Sequence, residues 1–494
     1  MGRPGAFLEH GRRDHGELPA SQAVRDFAEM ARPLAADDQR VQASRCMYCG
    51  VAFCQVGAPF AAAGERPGHA SGCPLHNLIP EWNDLLCRGR MADAAARMAL
   101  TNPFPEFTGR MCPAPCEAAC NLGLHEAPTT IRDDERAISD WLWDEAGGPA
   151  PLPAPAEGAP LVGVIGSGPA GLAAAWELAR RGLRVRVVER DDRAGGLLTY
   201  GIPAMKLPKD VVARRLALME ASGIRIECGV DAADPEVAHD LLATCDAVVV
   251  ATGARAARPL DVPGADAAGV HPAMDYLTAA TRAVLAGTPE EPATPAIDAA
   301  GLDVVVLGGG DTGTDCVATA LRQGARSVRQ VIRRPSAGTE RPADNPWPEW
   351  PEVRVDGYGQ REAAAVFGED PRVFATDTLE VVADDATSRV TGLRVCAMDW
   401  SGGRGRDVAG TERVLPAQLV LVARGFSGPE PGAFAALDVD MAAARRAGKA
   451  LAVVDDAATP VYVAGDARIG ASLVVNAIAE GLACAARVAG ELAR

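Results

Sequence analysis

Seven cysteines in the first quarter of the chain constrain its fold more than any other feature. Three are spaced C-x2-C-x4-C, one stands alone and three are spaced C-x3-C-x3-C: Cys46, Cys49, Cys54, Cys73, Cys112, Cys116 and Cys120. Thiolates at such spacings bind zinc or iron–sulfur clusters. Metal binding can order a region that has little apolar core of its own. We therefore predict a metal-binding N-terminal domain, 1–150, built from short helices and loops.

The spacing leaves the kind of metal centre open. A C-x2-C pair is also half of a zinc site, whereas the x4 and x3 spacings with Cys-Pro steps fit loops around four-iron clusters. Seven clustered thiols are too many to be incidental. Two four-iron clusters take eight ligands. A pair of such clusters would therefore need one ligand beyond the seven cysteines. Cys87 is a candidate, although it falls within a helical pattern.

A dinucleotide-binding unit follows a Pro-rich linker at 151–160. The turn GSGPAG at 166–171 lies between an apolar strand and a helix. Its glycines permit a tight turn and let the backbone approach a pyrophosphate, and an acid ending the next strand accepts from ribose hydroxyls. The predicted contacts are Gly166, Gly168, Pro169, Ala170, Gly171 and Glu189.

A second unit of the same kind begins at Asp303, with the turn GGGDTG at 308–313. Two arginines end its second strand, where an NAD site carries an acid. Guanidinium groups pair with a 2′-phosphate, which favours NADPH over NADH; the alternative is a solvated strand end. The predicted contacts are Gly308, Gly310, Asp311, Thr312, Gly313, Arg333 and Arg334.

Composition excludes two classes of partner. The net charge of -16 argues against nucleic acid, whose binding needs a basic surface. No apolar run approaches the ~18–20 residues that span a bilayer, so we expect no membrane association. The first residues lack the apolar segment of a secretory signal, and we expect a cytoplasmic protein.

Two further segments resemble nucleotide contacts of the glutathione-reductase-like flavoproteins. They are VVVATG at 248–253 and VYVAGD at 461–466. The resemblance implies FAD in the first unit, with Gly253, Gly465 and Asp466 among its contacts and Asp466 on the ribityl chain. The expected fold is α/β: a helical iron–sulfur domain followed by two Rossmann-like domains. The NADPH domain, 301–413, is expected to be inserted into an FAD domain made of 161–300 and 414–494.

Longer motifs resemble the small-subunit family of NADPH-dependent glutamate synthases. They are CMYCGVAFC, GCPLHNLIPEWND, NPFPEFTGRMCPAPCEAAC, GGLLTYGIPAMKLPK, GGGDTGTDC and RPADNPWPEWP. The N-terminal part is also similar to that of dihydropyrimidine dehydrogenase. The insertion at 55–72 departs from the family, and we expect it to be an exposed loop. The Trp/Pro run at 345–351 indicates no chemistry.

The resemblance also implies the sites. It implies two [4Fe-4S] clusters, one held by Cys46, Cys49, Cys54 and Cys120. The other is held by Cys73, Cys112, Cys116 and Glu135. Gly196, within GGLLTYGIPAMKLPK, is a further implied cofactor contact.

The implied activity is hydride transfer from NADPH to FAD, followed by single-electron transfer through the clusters. The implied acceptor is the FMN of a large subunit that makes glutamate from glutamine and 2-oxoglutarate. The cofactors carry this chemistry, so no catalytic acid or nucleophile is expected. The chain begins Met1-Gly2, without an amidotransferase cysteine, and we expect it not to form glutamate alone. The alternatives are a module feeding a pyrimidine reductase or ferredoxin-linked flavoprotein, and a non-catalytic redox-sensing scaffold.

Overall fold

The structure, a computed structural model, describes residues 5–57, 59–60, 68–69 and 71–493. Half of the insertion expected at 55–72, and the outermost residues of the first and last predicted domains, lie outside the described residues. In the part of the chain that is described, no helix is both long and apolar enough to cross a bilayer.

Short helices and loops form the N-terminal region, the described residues up to 150. The helices are α1 (Ala6–Glu9), α2 (Ala20–Ala23), α3 (Ala36–Ala43), α4 (Ile79–Cys87), α5 (Met91–Met98), α6 (Pro105–Met111), α7 (Pro115–Ala118) and α8 (Ile131–Asp144), with 3-10 turns at Phe53–Gln55 and Asn121–Leu124. Two small ribbons pair β1 (Gly16–Glu17) with β2 (Ala31–Arg32) and β3 (Pro59–Phe60) with β4 (Gly68–His69).

The helical pattern over 80–100 forms two helices instead of one. Helix α4 ends before Gly89, whose φ of +71° lies in the left-handed region that glycine adopts readily. Helix α5 then starts in a new direction. The large side chains Trp82, Phe104 and Phe107 are fully buried here and give this region an apolar core beside its cysteines.

The first nucleotide domain starts after the linker. Its first elements are β5 (Leu161–Ile165), α9 (Pro169–Arg180), β6 (Arg184–Glu189), α10 (Leu197–Tyr200), α11 (Lys209–Ala221), β7 (Arg225–Cys228), α12 (Pro235–Thr244), β8 (Ala247–Val250) and β9 (Ala256–Ala257). The four long strands pair in parallel. Strand β8 is buried along its whole length, because both faces of a parallel sheet are covered.

The second nucleotide domain contains two sheets. Its elements are β10 (Val270–Pro272), α13 (Ala273–Ala286), β11 (Asp303–Leu307), α14 (Asp311–Arg322), β12 (Ser327–Val331), α15 (Tyr358–Phe367), β13 (Arg372–Val373), β14 (Thr376–Ala383), β15 (Val390–Asp399), β16 (Arg406–Asp407), β17 (Arg413–Pro416) and β18 (Leu419–Val422). A parallel sheet has the order β10-β18-β11-β12-β13, and β14 to β17 form an antiparallel sheet.

The chain then returns to the first domain. The last elements are β19 (Phe426–Gly428), α16 (Gly432–Ala436), α17 (Met441–Ala447), β20 (Lys449–Val454), β21 (Ala457–Val463), α18 (Asp466–Ile469) and α19 (Val474–Leu492). Strand β21 pairs with β8, which completes a six-stranded sheet of order β20-β21-β8-β5-β6-β7. Strand β19 pairs with β9, so the two connections between the domains run side by side.

This topology confirms the α/β class and corrects the predicted boundaries of the inserted domain. Strand β10 lies before the expected boundary at 300/301 and β18 lies after the one at 413/414, yet β18 pairs with both β10 and β11. The inserted domain therefore spans 258–425. The Pro-rich segment 287–295 lies in the loop between α13 and β11.

A buried ion pair joins the N-terminal region to the first nucleotide domain. Arg215 on α11 donates from Nε and Nη2 to the two carboxylate oxygens of Glu106 on α6, with Nη2–Oε2 at 3.0 Å. The same guanidinium lies over the rings of Phe104, Trp143 and Trp176, with centroid distances of 5.1 to 5.5 Å. Bidentate pairing and ring stacking both fix the guanidinium plane, so this contact sets how the two parts are oriented.

Candidate metal and nucleotide sites

Two cavities in the N-terminal region divide the predicted metal ligands between them. The first cavity is lined by Cys46, Cys49, Cys54 and Cys120. The second cavity is lined by Cys73, Cys112, Cys116 and Glu135. The division is the same as that implied by the family resemblance. Cys87 lines neither cavity.

The predicted ligand side chains line the two cavities and do not converge on a single point. Among the described residues, no three Cys, His, Asp or Glu side chains converge to hold one metal ion. A structural zinc with bonds of about 2.3 Å to sulfur would need such convergence. Four ligand side chains on the walls of each cavity suit a group of several iron atoms.

The backbone is shaped to present N–H groups to three of the cysteines. Each is followed two or three positions later by a non-glycine residue with φ between +52° and +59°. The N–H of that residue faces the sulfur, and this contact partly offsets the rise in the thiol pKa that burial causes. The pairs are Tyr48 with Cys46, His76 with Cys73 and Ala114 with Cys112. Left-handed backbone costs such residues about 1–2 kcal/mol each, and strain of this kind concentrates at functional sites.

The thiols are buried strongly enough to remain protonated without a metal. Burial raises the pKa of Cys46 and of Cys73 to about 12. It also raises the pKa of further ligand thiols, namely Cys49, Cys54, Cys112 and Cys116. Because the thiolate is the ligand form, metal binding here must be coupled to release of protons.

Glu135 on α8 brings the one carboxylate to the second cavity. Asn102 donates to its Oε1 at 2.6 Å, and the Thr108 hydroxyl donates to the same oxygen. Burial raises the pKa of Glu135 to about 7, although these two hydrogen bonds act in the opposite direction. No described residue donates to Oε2, which leaves that oxygen free for a metal. A glutamate within a helical pattern carries no local signal of this role.

The two cavities are adjacent but face different parts of the molecule. Ile79 and Ile131 line both of them and lie between them. Val475 on α19, which belongs to the first nucleotide domain, also lines the second cavity. Beside the first cavity, Cys49 is partly accessible and Tyr48 is exposed. The second cavity therefore lies against the nucleotide domain, and the first lies close to the surface.

Both glycine turns leave no room for a side chain at their first glycine. A Cβ on Gly166 would lie 2.7 Å from the carbonyl oxygen of Ala251, and one on Gly308 would lie 2.2 Å from that of Ala423. Both glycines have positive φ, +96° and +130°. In each domain the turn therefore packs directly on the end of a neighbouring parallel strand, which leaves no room for a side chain.

The later glycines of the turns differ in what surrounds them. A Cβ on Gly171 would lie 1.9 Å from the Gly166 carbonyl oxygen, and one on Gly313 would lie 2.5 Å from that of Gly308. A Cβ on Gly168 or Gly310 would meet no protein atom within 4 Å. The helices begin immediately afterwards, at Pro169-Ala170 and at Asp311-Thr312. The space beside each middle glycine is therefore open at a helix N-terminus, where anions bind.

The other predicted FAD contacts gather around the first turn. A Cβ on Gly196 would lie 2.9 Å from Cα of Gly168, and one on Gly465 would lie 2.4 Å from Cβ of Ala170. Gly253 has a φ of +72° and follows β8 directly. Asp466 begins α18 and accepts a hydrogen bond from the Ser472 hydroxyl at 2.6 Å.

Glu189 is buried at the end of β6 and is bonded to the turn itself. Its Oε2 accepts from the backbone N–H of Ser167 at 2.9 Å and from the Ser167 hydroxyl. The sequence pattern did not indicate this use of Ser167. The serine holds the acid in place beside the turn, at the position where a ribose acceptor is expected.

Arg333 and Arg334 are exposed beyond the end of β12 and are held by residues that the sequence did not single out. Nε of Arg333 donates to Asp377 at 2.9 Å. The Arg334 guanidinium lies 5.2 Å from the centroid of the Trp400 ring, and Nε1 of Trp400 donates to the carbonyl of Arg333 at 3.1 Å. Both side chains are therefore held in place by neighbouring residues. Asp377 must compete with any bound phosphate for the guanidinium of Arg333.

Comparison with known proteins agrees with this division of the chain. A family described as pyridine nucleotide-disulphide oxidoreductase matches residues 161–354, and one described as dihydropyrimidine dehydrogenase domain II, 4Fe-4S cluster, matches residues 23–146. The chain is 43% identical over 493 residues to the "Glutamate synthase [NADPH] small chain" of Bacillus subtilis (strain 168), which covers 97% of this chain and 96% of that protein.

One further relative is much longer than this chain, and one solved structure shows a weaker similarity. The chain is 41% identical over 490 residues to the "Glutamate synthase [NADH]" of Schizosaccharomyces pombe, covering 98% of this chain and 22% of that protein. The solved structure of Mycobacterium tuberculosis FprA in complex with NADPH aligns with a TM-score of 0.45 at 19% identity, covering 68% of this chain and 86% of that one.

The open space beside the middle glycines gives a test of the two turns. Gly168→Ala and Gly310→Ala should fold like the wild type, because the backbone there is not left-handed and the new Cβ meets no protein atom. Each should weaken its dinucleotide by about tenfold or more, which is ~1.4 kcal/mol. FAD retention and NADPH titration measure the effect. Gly402→Ala, equally open, is the control, and unchanged binding in both turn variants would contradict the assignment.

Proposed function

The chain belongs to the glutamate synthase small-chain family, and we propose that it is the electron-input subunit of a glutamate synthase. In this role it oxidises NADPH through FAD and passes electrons through two [4Fe-4S] clusters. The acceptor is the FMN of a large subunit that makes L-glutamate from L-glutamine and 2-oxoglutarate. The observation that carries the proposal is the pair of adjacent cavities, each with one predicted ligand set, beside a double dinucleotide-binding fold.

The placement of the cavities supports a direction for electron flow. Val475 brings the FAD-binding domain to the wall of the second cavity, and Ile79 and Ile131 lie between the second and the first. Tyr48 and Val51 are exposed and are sequence neighbours of Cys49, which lines the first cavity. We assign Cys73, Cys112, Cys116 and Glu135 to the cluster nearer FAD. We assign Cys46, Cys49, Cys54 and Cys120 to the cluster nearer the partner.

The nucleotide domains supply binding and orientation. NADPH and FAD supply the hydride chemistry and the clusters supply one-electron transfer. The turn at 166–171, with Glu189, Gly196, Gly253, Gly465 and Asp466, holds FAD. The turn at 308–313 holds the pyrophosphate of NADPH, and Arg333 and Arg334 take its 2′-phosphate. Because the cofactors would supply that chemistry when bound, these residues act by holding and aligning them.

The need for a partner is supported by the fission yeast relative. There the region that matches this chain is 22% of a protein named "Glutamate synthase [NADH]". We infer that the remaining functions of that protein reside in a separate large subunit here. We also propose a cytoplasmic location, where thiol ligands remain reduced.

The metal assignment predicts about eight iron and eight sulfide per chain. Anaerobic iron and sulfide analysis with EPR is the measurement. Cys46→Ala should remove about half of the iron, because one cluster loses a thiolate ligand. Cys228→Ala, at an exposed cysteine outside the cavities, is the matched control and should keep all of it. Stoichiometric zinc without iron would refute the assignment.

The choice of nucleotide depends on the two arginines. The double substitution Arg333→Ala with Arg334→Ala removes charge-assisted bonds worth about 1.5–3 kcal/mol. NADPH affinity should fall about 10–150-fold, with little change for NADH. Arg329→Ala removes an exposed cation of β12 that pairs with Glu369 at 2.6 Å and controls for surface charge. Equal losses for NADPH and NADH would mean that the arginines do not bind the phosphate.

Reconstitution tests the proposed function itself. The purified chain should reduce an artificial dye with NADPH but should show no glutamine-dependent NADPH oxidation. Addition of the large subunit should establish that activity, because the proposed role gives this chain the electron-input sites and gives the large subunit the glutamine site. Formation of glutamate by the chain alone, or a large subunit that neither binds nor accepts electrons, would contradict the proposal.

A further inference from the structure

Arg45 is a buried cation without a carboxylate partner among the described residues. Its side chain belongs to a residue that is 1% exposed. The guanidinium donates to three backbone carbonyls: Nε to His10 at 3.0 Å, Nη1 to Pro128 at 2.9 Å and Nη2 to Ala127 at 2.7 Å. Its hydrogen bonds are therefore satisfied, but nothing in this set neutralises its charge.

Other buried arginines of the molecule are compensated. Arg215 forms a bidentate pair with Glu106, and Arg136 pairs with Glu29 at 2.9 Å. An isolated buried charge is costly unless an opposite charge is close. The position of Arg45 therefore implies an anion that is not one of the described carboxylates.

A second cation, Arg12, lies beside Arg45. Nη1 of Arg12 donates to the same Pro128 carbonyl at 3.1 Å and to the Thr129 carbonyl at 3.3 Å. Unlike Arg45, Arg12 is paired, with Glu117 at 2.7 Å and with Asp14. Of these two neighbouring cations, Arg12 is therefore paired with carboxylates and Arg45 is not.

The uncompensated charge lies beside the first cavity. Arg45 directly precedes Cys46, and the carbonyls that it binds lead into Thr129, which lines that cavity. The Thr129 hydroxyl lies 3.9 Å from Sγ of Cys120.

The opposing charges near Arg45 are weak. Glu126 acts on it electrostatically but is exposed and therefore screened by solvent. Asp134 is buried, but it accepts hydrogen bonds from Gln39 and, at 3.3 Å, from the Thr130 hydroxyl, and not from Arg45. The second cavity has the same number of anionic ligands, because the Glu135 carboxylate takes the place of a fourth thiolate. The cation near it, Arg132, is partly exposed and lies 3.9 Å from Asp133.

We propose that Arg45, with Arg12 beside it, is the counter-charge of the cluster in the first cavity and raises the reduction potential of that cluster relative to the one in the second. The inference rests on the proposed placement of the clusters. A cluster held by four thiolates is anionic, and one-electron reduction adds a further negative charge without making or breaking a bond. Net charge near a cluster is one determinant of its potential. This difference in reduction potential favours electron transfer from the cluster nearer FAD to the cluster nearer the surface.

The test is an EPR-monitored redox titration of the full-length chain with both clusters present. In Arg45→Gln, the equilibrium constant for reduction of the first cluster should fall about tenfold or more, which is about 59 mV for a one-electron couple. The second cluster should shift much less. Arg45→Lys should restore most of the loss because it keeps the charge. Cys49→Ser identifies which signal belongs to the first cluster.

Arg13→Gln is the matched control, since Arg13 is a near neighbour in sequence of Arg12 but is exposed and pairs with Asp38 at 2.9 Å. It should leave both potentials unchanged. An unchanged first potential in Arg45→Gln, with both clusters present, would overturn the proposal.

Arg12→Gln decides the question if Arg45→Gln loses its iron. That variant leaves Glu117 and Asp14 without their cation, so the first potential must fall, and no shift would overturn the proposal. If the wild-type chain contains no cluster at the first cavity, iron analysis reveals it, and the proposed function fails instead of this inference.

Discussion

The contact between backbone N–H groups and cysteine sulfur is the constraint on which the N-terminal region depends. Tyr48, His76 and Ala114 adopt a left-handed backbone that disfavours any residue with a side chain. Each turns its N–H toward a ligand sulfur. Charge on the sulfur strengthens such a bond, so metal binding repays the strain that the loops carry. The loops, the cavities and the metal are thus parts of one folding unit.

That unit is attached rigidly to the nucleotide-binding part of the chain. Arg215 and Glu106 form a bidentate pair across the boundary, and α19 extends from the first nucleotide domain to the second cavity through Val475. A fixed separation suits electron transfer, which requires the donor and the acceptor to remain close. The Trp/Pro run, for which the sequence indicated no chemistry, adds a third contact, because Trp347 packs on Phe53 with ring centroids 4.9 Å apart.

The sequence predicted features that depend on local pattern. Cysteine spacing indicated the metal region, and glycine spacing indicated both turns, because each is a local steric or ligand requirement. It could not indicate on its own that Cys120 joins the first set while Cys116 joins the second, since the chain crosses between the cavities there. The counter-charge at Arg45 and the Asp377 partner of Arg333 are tertiary contacts. The domain boundary was wrong because short strands far apart in sequence, β10 and β18, share a sheet.

The β9–β19 ribbon has a consequence for the order in which the chain folds. Strand β8 obtains its neighbour β21 only after the chain has passed through residues 258–425. The inserted domain is therefore synthesised before β20 and β21 of the first sheet. The pairing of β9 with β19 places its two ends side by side. Domains generally fold as units from the N-terminus. The inserted domain thus brings β21 back to β8, and the first sheet closes last.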